Sequence, residues 1–347
     1  MAVKLLQFFL RRYRLAGKRR QAAGFTLIEL LITTIIAGLI VTGLMFLVVE
    51  LMQTNQRETA RTETQREMQL GLDYIANELR EAIYVYPGEC LVGGVGGGNP
   101  TANGFCPGLD NHITFPATYT PVLAFWKLDV LPDSVLNVCA GFTPDPVSGD
   151  IDTNGIPCLA GKASSLVMYF FTTDNPNNRW RGEARIIRYE LFPYAEGSDG
   201  SVTTTGYVTP EDADNFRVWP YDNGIDQQAA NAGGAADITN NDDVLMDFVS
   251  NVGTTGGGKE KGMEPNCPND ADAPYTVAPD PAANQRFTFY ACVRDPDNAA
   301  VFNQDVIVHL KGNAKGKPGI SADGFLPALS TQVLNRGVID KNPASDD

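Results

Sequence analysis

The first long apolar segment of the chain extends from Phe25 to Val49 and contains one charged residue, Glu29. At a rise of about 1.5 Å per residue, a helix of this length crosses a hydrocarbon layer of about 30 Å. The segment that follows is polar, and from Gln53 to Glu67 its one apolar residue is Ala60. The pattern therefore predicts a membrane-spanning helix that continues as a water-exposed one.

Apolar residues then return at intervals of three or four positions, which is the spacing of one face of a helix. No proline occurs before Pro87, so we predict a continuous helix from about Phe25 to Tyr86. We expect its apolar stripe to pack against the protein's own sheet, and a partner-binding groove is the alternative interpretation. The stripe consists of Leu72, Ile75, Leu79 and Ile83.

After Pro87 the pattern changes to short apolar runs separated by Gly, Pro, Asn and Asp, which is typical of strands and turns. No helical periodicity separates these runs, so the sheet is predicted to be antiparallel. The sequence thus predicts an α+β fold, in which a long N-terminal transmembrane helix packs on an antiparallel β-sheet domain with long disulfide-bearing loops. The predicted strands are Val122–Val130, Leu166–Thr173, Glu183–Phe192, Val244–Val249, Arg286–Arg294 and Val301–Leu310.

These patterns divide the chain into five predicted segments. They are a basic leader (1–24), the membrane half of the helix (25–49), its extracytoplasmic half (50–86), a β-rich globular domain (87–341) and a flexible tail (342–347).

Charge is distributed unevenly along the chain. Residues 1–24 carry seven cationic side chains and no acidic one, whereas the whole chain has 27 Lys and Arg against 41 Asp and Glu. The remainder therefore carries 20 cations against 41 anions, a net charge of −21. An acidic body argues against nucleic acid as a partner. The cations before the apolar segment predict a cytoplasmic N-terminus and a body on the other side of the membrane.

The order of the segments does not fit a cleavable secretory signal, in which an apolar stretch of about 7–15 residues precedes a small-residue cleavage site. Here the small residues Ala22-Ala23-Gly24 come before a longer apolar stretch. Residues 24–31, Gly-Phe-Thr-Leu-Ile-Glu-Leu-Leu, instead resemble the cleavage and N-methylation motif of type IV prepilins.

This resemblance implies that a prepilin peptidase in the membrane cuts between Gly24 and Phe25 and methylates the new N-terminus at Phe25. It also implies that Glu29, the fifth residue of the mature chain, meets the N-terminal amine of a neighbouring subunit during assembly. A carboxylate within an apolar segment is costly and usually marks a function or a partner. The alternative interpretation is a carboxylate near the lipid headgroups that stays hydrated.

Within this family, the long, loop-rich C-terminal domain resembles a minor pilin or pseudopilin rather than a compact major pilin. Three short segments are similar to the C-type hormogonium polysaccharide secretion pseudopilins of filamentous cyanobacteria, namely Leu72–Ala76, Ala82–Tyr86 and Pro121–Lys127. The resemblance implies a structural subunit of a type-IV-pilus-like machine that supports polysaccharide secretion and gliding motility.

The same resemblance implies partners and a location. The expected partners are the prepilin peptidase, other pilins or pseudopilins, the inner-membrane assembly platform, the membrane itself and polysaccharide. The expected location is the inner membrane, crossed once, with the C-terminal domain in the periplasm or outside the cell, or a pilus-like filament. One alternative is a minor pilin of a type IV pilus or a type II secretion pseudopilin. Another is a membrane-anchored carbohydrate-binding module or enzyme.

All six cysteines follow the membrane segment, and an even number in an exported domain favours disulfides. Six cysteines allow fifteen connectivities, so their pairing stays open at this point. Pairing of nearest neighbours in the sequence is our prediction. No Cys-x-x-Cys occurs, which argues against a zinc site. The predicted pairs are Cys90–Cys106, Cys139–Cys158 and Cys267–Cys292.

Asp150, Asp152 and Asn154 match the first half of a calcium-binding loop, in which alternate oxygen ligands converge around a Gly turn. The bidentate Glu expected at the twelfth position is absent, because Gly161 stands there. A calcium ion is therefore one interpretation, to which the use of calcium by some secretion pseudopilins adds support. A turn held by Asp and Asn side chains is the other.

No residue pattern in the chain supports catalysis. The two histidines, His112 and His309, are isolated in the sequence, and no Gly-x-Ser-x-Gly motif is present. We therefore predict a structural protein rather than an enzyme. The tryptophans are candidates for stacking on sugar, although packing in the core is the favoured interpretation. They are Trp126, Trp180 and Trp219.

Overall fold

The computed structural model describes most of the chain after the leader. The described residues are 24–100, 102, 104–143, 155–195, 197, 199–200, 202–238, 242–251, 262–268, 274–282, 285–294, 304–321 and 325–335. The predicted leader, apart from Gly24, and the predicted tail lie outside them.

The first helix, α1, spans Leu27–Glu81 and contains 55 residues. Two short helices follow within the described residues, α2 at Asp133–Cys139 and α3 at Gln227–Asn231. The chain divides into two compact units, residues 1–55 and 56–347, and α1 contributes to both. The prediction of one long uninterrupted helix is confirmed, although its end at Tyr86 is wrong by five residues.

The described residues contain long strands and several two-residue ones. In chain order they are β1 Ala82–Val85, β2 Ile113–Thr114, β3 Tyr119–Val130, β4 Lys162–Thr172, β5 Ala184–Leu191, β6 Tyr221–Asp222, β7 Ile225–Asp226, β8 Ala236–Asp237, β9 Asp242–Val249, β10 Tyr275–Ala278, β11 Phe289–Arg294, β12 Asp305–Lys311 and β13 Ala328–Leu334.

Two antiparallel sheets carry most of these strands. One has five strands in the order β1-β3-β4-β5-β9, and the other has four in the order β10-β11-β12-β13. The predicted α+β architecture with antiparallel pairing is confirmed, but the longer strands form two sheets rather than one. The two-residue strands pair separately, β2 with β8 in parallel and β6 with β7 antiparallel. Each of the six predicted strands overlaps an observed one, in β3, β4, β5, β9, β11 and β12.

The strand β1 corrects the predicted helix boundary, because residues 82–86 leave the helix and the β-rich part begins at Ala82 instead of residue 87. Its Ile, Tyr and Val side chains favour extended backbone, and the strand pairs with β3 at the edge of the five-stranded sheet. Val85 pairs with Phe125, and Tyr84 pairs with Trp126. Pairing with a neighbouring strand has here overridden the helical periodicity that ends in Ile83.

A buried glutamine satisfies the backbone of β1 on the side that faces away from β3. Gln304 Oε1 accepts a hydrogen bond from the Val85 N–H at 2.7 Å, and Gln304 Nε2 donates to the Val85 carbonyl at 2.7 Å. The backbone of Gln304 is in turn held by Asn335, whose N–H donates to the Gln304 carbonyl at 3.0 Å. The Gln304 side chain thus supplies the two hydrogen bonds that a neighbouring strand would otherwise form with Val85. It also connects β1 to the residues that flank β12 and β13.

The apolar stripe of α1 lies in the main hydrophobic core, as predicted. Leu72, Ile75 and Leu79 are buried in one cluster that also contains residues of both sheets. Ile83 is the exception, since it lies in β1 and is half-buried. The stripe therefore packs against the sheets of the same chain. The alternative interpretation, a groove that binds a partner, is not needed to explain these apolar residues.

The six cysteines form the three disulfides that the nearest-neighbour prediction gives. Their Cα–Cα separations are 5.6, 5.3 and 5.5 Å, within the usual range of 4.4–6.8 Å. Each bond closes a short stretch of chain in a loop-rich region. The pairs are Cys90–Cys106, Cys139–Cys158 and Cys267–Cys292.

The contact between Gln304 and Val85 leads to a stability prediction. We expect Gln304→Ala to lower the free energy of unfolding by about 2–3 kcal/mol, because it leaves a buried N–H and a buried carbonyl without partners. Urea denaturation of the purified chain measures the change. The matched control is Gln69→Ala at an exposed position of α1, for which a change within about 0.5 kcal/mol is expected. Equal stability of the two variants would contradict the role of Gln304.

Candidate functional site

The N-terminal end of α1 carries the residues that the sequence motif singles out. Gly24 and Phe25 precede the helix, and the Phe25 side chain is 77% exposed. Thr26 caps the helix, because its hydroxyl oxygen accepts a hydrogen bond from the Glu29 N–H at 3.3 Å. The Thr-x-x-Glu sequence is a known helix-start signature, so the helix begins directly after the Gly24-Phe25 pair for a local reason. Glu29 lies in the first turn, where a carboxylate interacts favourably with the helix dipole.

The first half of α1 exposes apolar side chains on all its faces. Leu39 is 71% exposed and Phe46 is 73% exposed. α1 is the one helix among the described residues that is long and apolar enough to cross a membrane. Such a surface requires lipid or other apolar helices around it, which is consistent with anchoring in a membrane by a single span.

The threonines of this segment are compatible with an apolar environment. Thr33, Thr34 and Thr42 donate their hydroxyl groups to backbone carbonyls three or four residues earlier, at 2.9, 2.9 and 2.8 Å. A hydroxyl bonded within its own helix no longer needs water. The hydroxyl groups of these threonines thus need no partner outside the helix, whereas Glu29, the one charged side chain from Phe25 to Val49, does.

The second half of α1 is fixed to the five-stranded sheet by buried charges. Glu78 accepts hydrogen bonds from Arg188 at 2.7 and 3.1 Å, and the Lys127 Nζ lies 3.1 Å from it. The Tyr169 hydroxyl also donates to Glu78. Glu190 and Asp129 complete the group, which we call the helix–sheet charge cluster: Glu78, Lys127, Asp129, Arg188 and Glu190.

The charge state of this cluster follows from its contacts. Burial disfavours the charged form of Glu78, but the hydrogen bonds from Arg188 and Tyr169 outweigh burial and hold its pKa below the ordinary 4.5. Burial raises the pKa of Glu190, and its hydrogen bond with Asp129 adds to that shift. Burial also opposes the charge of Lys127, yet the surrounding carboxylates raise its pKa. The charge on Glu78 is thus stabilised at neutral pH by two cations.

The sequence analysis missed this cluster, although a signal for it was present. Arg188 and Glu190 alternate along β5, and Lys127 and Asp129 alternate along β3, so each pair points to one face of the sheet. Charges at alternate positions of otherwise apolar strands indicate a polar contact on that face. Glu78, their partner on α1, lies between Ile75 and Leu79 of the apolar stripe, and nothing in the sequence around it indicates a buried charge.

The predicted tryptophan sites divide into two kinds. Trp126 and Trp219 are fully buried and pack against each other with ring centroids 5.4 Å apart. Their indole N–H groups donate to the Tyr86 hydroxyl at 3.0 Å and the Val208 carbonyl at 2.8 Å. Core packing is therefore confirmed for these two. Trp180 is half-exposed on the loop between β4 and β5.

The histidines have structural partners. His112 is buried, and its Nδ1 lies 2.9 Å from the Gln228 side-chain oxygen. His309 in β12 stacks on Tyr290 with ring centroids 4.5 Å apart. The proposed calcium ligands Asp150, Asp152 and Asn154 lie outside the described residues. Within the described part of the chain, no group of three or more His, Cys, Asp or Glu side chains is placed to hold a metal ion.

Comparison with known proteins identifies the N-terminal segment. Residues 19–45 match the family model described as the prokaryotic N-terminal methylation motif. The matched segment includes Gly24, Phe25 and Glu29, and it ends within the exposed apolar half of α1. Neither a curated protein nor a solved structure is significantly similar to the chain. The motif supports a subunit of the type IV pilin or pseudopilin kind, and it implies processing by a prepilin peptidase and assembly with other pilins.

The helix–sheet charge cluster predicts a pH-dependent effect. We expect Glu78→Gln to lower the free energy of unfolding by about 2 kcal/mol at pH 7, because Arg188 and Lys127 lose a buried counter-charge. The lowered pKa of Glu78 means that its contribution is present above about pH 4.5 and is lost as the pH falls through the folded-state pKa. The difference between wild type and variant should therefore shrink on acidification.

Urea denaturation at several pH values between neutrality and pH about 3 measures this difference. The control is Glu58→Gln, whose carboxylate forms an exposed pair with Arg61 at 3.0 Å and should contribute less than about 1 kcal/mol at any pH. A difference for Glu78→Gln that stays constant or grows in acid would contradict the charge assignment.

Proposed function

We propose that the chain is a minor pilin-like (pseudopilin) subunit of a type-IV-pilus-like machine, and that it supports polysaccharide secretion and gliding motility. The observation that carries this proposal is the position of the methylation motif at the start of α1, whose exposed apolar segment up to Val49 contains one carboxylate, Glu29. A membrane anchor alone needs apolar length, whereas Glu29 adds a cost that an assembly contact offsets.

The proposed assembly contact follows from the chemistry of the motif. Cleavage after Gly24 frees an amine at Phe25, and this amine carries a positive charge at neutral pH. In an apolar helix bundle an amine and a carboxylate are each costly alone, and pairing between neighbouring subunits neutralises both. Glu29 would thus bind the amine of one neighbour, while the exposed apolar faces of α1 pack against adjacent helices.

Two features support a minor or secretion-type subunit over a compact major pilin. Residues 56–347 carry long loops held by three disulfides, which suits an oxidising compartment outside the cytoplasm. The segments similar to C-type hormogonium pseudopilins lie in the stripe of α1, in β1 and in β3. These elements build the scaffold around the core, so the similarity extends beyond the membrane segment.

A deletion strain tests the proposed role. We expect loss of secreted polysaccharide and of gliding, with surface pili retained. Complementation with wild type or with Glu50→Gln should restore both activities, because Glu50 lies at the far end of the apolar segment. Glu29→Gln should fail to restore them.

The other outcomes distinguish the alternative functions. Loss of pili would make the protein a pilus-priming minor pilin instead. Survival of all three activities would contradict an assembly role and favour an anchored carbohydrate-binding module or enzyme. Full restoration by Glu29→Gln would contradict the proposed contact between Glu29 and a neighbour's amine.

Processing at Gly24 gives a separate prediction. We expect the mature protein isolated from producing cells to begin at Phe25 and to carry one N-terminal methyl group. Gly24→Val should leave the basic leader attached, since a branched side chain obstructs the peptidase at the cleavage position. Mass spectrometry of the N-terminal peptide reports both results, with Gly17→Val in the leader as the control. A mature N-terminus elsewhere would contradict the motif assignment.

A further inference from the structure

A groove of about 600 Å³ lies between residues 67–74 of α1, the edge strand β9 and the loop between β4 and β5. Its volume falls within the usual range for small-molecule sites. All its lining residues belong to the unit formed by residues 56–347. The lining includes Leu70, Tyr74, Trp180, Leu245, Met246 and Phe248 on the apolar side.

Aromatic and apolar side chains in this groove face solvent. Tyr74 is 43% exposed and Leu70 is 60% exposed, one helical turn apart on α1. Trp180 faces them from the loop and is half-exposed, unlike the two core tryptophans. The guanidinium carbon of Arg179 lies 5.4 Å from the centroid of the Trp180 ring, so the groove places a cation directly beside a half-exposed indole ring.

The loop that carries Trp180 is fixed before any ligand arrives. The Asn175 side chain accepts a hydrogen bond from the backbone N–H of Trp180 at 3.0 Å and donates one to the Trp180 backbone carbonyl at 2.8 Å. Asp247 of β9 accepts hydrogen bonds from the N–H groups of Arg181 and Gly182 at 3.1 and 3.0 Å. A pre-organised loop loses little conformational entropy on binding, which is typical of a built site.

Backbone strain occurs in the same groove. Phe248 has a φ of 59°, in the left-handed region that bulky residues rarely adopt. Its ring contacts Lys317, whose Nζ lies 4.5 Å from the ring centroid. Strained residues concentrate at binding sites, where the surrounding structure holds them in place.

The groove carries two exposed guanidinium groups beside carboxylates that have partners within the protein. The Glu67 carboxylate is bound by Lys317 Nζ at 2.9 Å, and the Asp247 carboxylate lies 3.7 Å from the buried Arg185. Both acidic lining residues thus have a cationic partner within the protein, although Lys317 is shared with Glu63, whose carboxylate lies 3.3 Å from its Nζ. Arg179 and Arg181 line the groove as well, and both are exposed.

The geometry points to a binding site for an acidic polysaccharide, whose carboxylate-bearing pyranose rings stack on Trp180 and Tyr74 and pair with Arg179 and Arg181. A pyranose has an apolar C–H face that suits an aromatic ring, and guanidinium groups bind carboxylates through paired hydrogen bonds. The body carries an excess of negative charge that opposes the approach of such a chain, so the local attraction has to come from the two arginines. The inference rests on the proposed function for the origin of the polysaccharide, but not for the binding itself.

An acidic peptide is the main competing ligand, and the groove favours sugar for a geometric reason. Tyr74 on α1 and Trp180 on the loop both line the groove, and two solvent-accessible aromatic rings match flat, repeating sugar rings better than the irregular side chains of a peptide. The test therefore compares ligands that share charge or ring structure, but not both. Isothermal titration calorimetry of the purified full chain would use tetragalacturonate, the neutral maltotetraose, and tetraglutamate, which has the same number of side-chain carboxylates.

We expect tetragalacturonate to bind at least about tenfold more tightly than either of the other ligands. Trp180→Ala, and the double variant Arg179→Gln/Arg181→Gln, should each weaken its binding by about tenfold or more. The two arginines are exposed, so the double variant keeps its fold even if Trp180→Ala does not. Arg80→Gln, at an exposed position of α1 outside the groove, is the matched control and should bind like wild type.

The proposal is overturned by any of three results. These are no binding of tetragalacturonate by the folded wild type, equal binding of tetraglutamate, and unchanged affinity in the Arg179→Gln/Arg181→Gln variant. Because the assay uses purified protein, its failure would leave the assembly role intact, and a failed assembly role would leave this binding result intact.

Discussion

The helix α1 has an apolar first half suited to a membrane and an amphipathic second half that packs on the globular part, and the rest of the structure depends on this change within one helix. Residues 27–49 expose apolar side chains on all faces, whereas residues 56–81 bury one stripe in the core. The stripe and the charge on Glu78 fix the second half of α1 to the five-stranded sheet. The apolar side chains of the first half are exposed, so their stability in a cell must come from lipid or from other helices.

The buried polar groups around the core are paired with other groups of the same chain. Gln304 supplies the hydrogen bonds that a missing strand would give to β1, and Arg188 and Lys127 supply the counter-charges for Glu78. Disulfides connect the long loops to buried clusters, since Cys90 and Cys106 lie in the main core and Cys139 and Cys158 pack against a smaller one. These contacts stabilise the part of the chain from residue 56 onward, whereas the apolar half of α1 and the groove at Trp180 are two exposed surfaces suited to external partners.

The sequence allowed the prediction of features that depend on local patterns. The apolar segment, the stripe at Leu72, Ile75 and Leu79, six strands and the cysteine pairs all follow from spacing or from proximity in the chain. The end of α1 did not follow, because pairing of β1 with β3 and the distant Gln304 override its helical period. The groove was equally hidden, since its α1 residues lie more than one hundred positions from its loop and strand residues in the sequence. Only the exposure of Trp180 distinguishes that residue from the core tryptophans.

Photo-crosslinking within the membrane half of α1 tests most directly whether this surface contacts other subunits. A photoreactive amino acid at Ile36, exposed in the middle of the segment, would be activated in producing cells. The account predicts adducts with a second protein that carries a pilin-type N-terminal helix, identified by mass spectrometry, and their loss in a Glu29→Gln background. Adducts with lipid alone, or protein adducts that persist unchanged without Glu29, would contradict an assembly role for this helix.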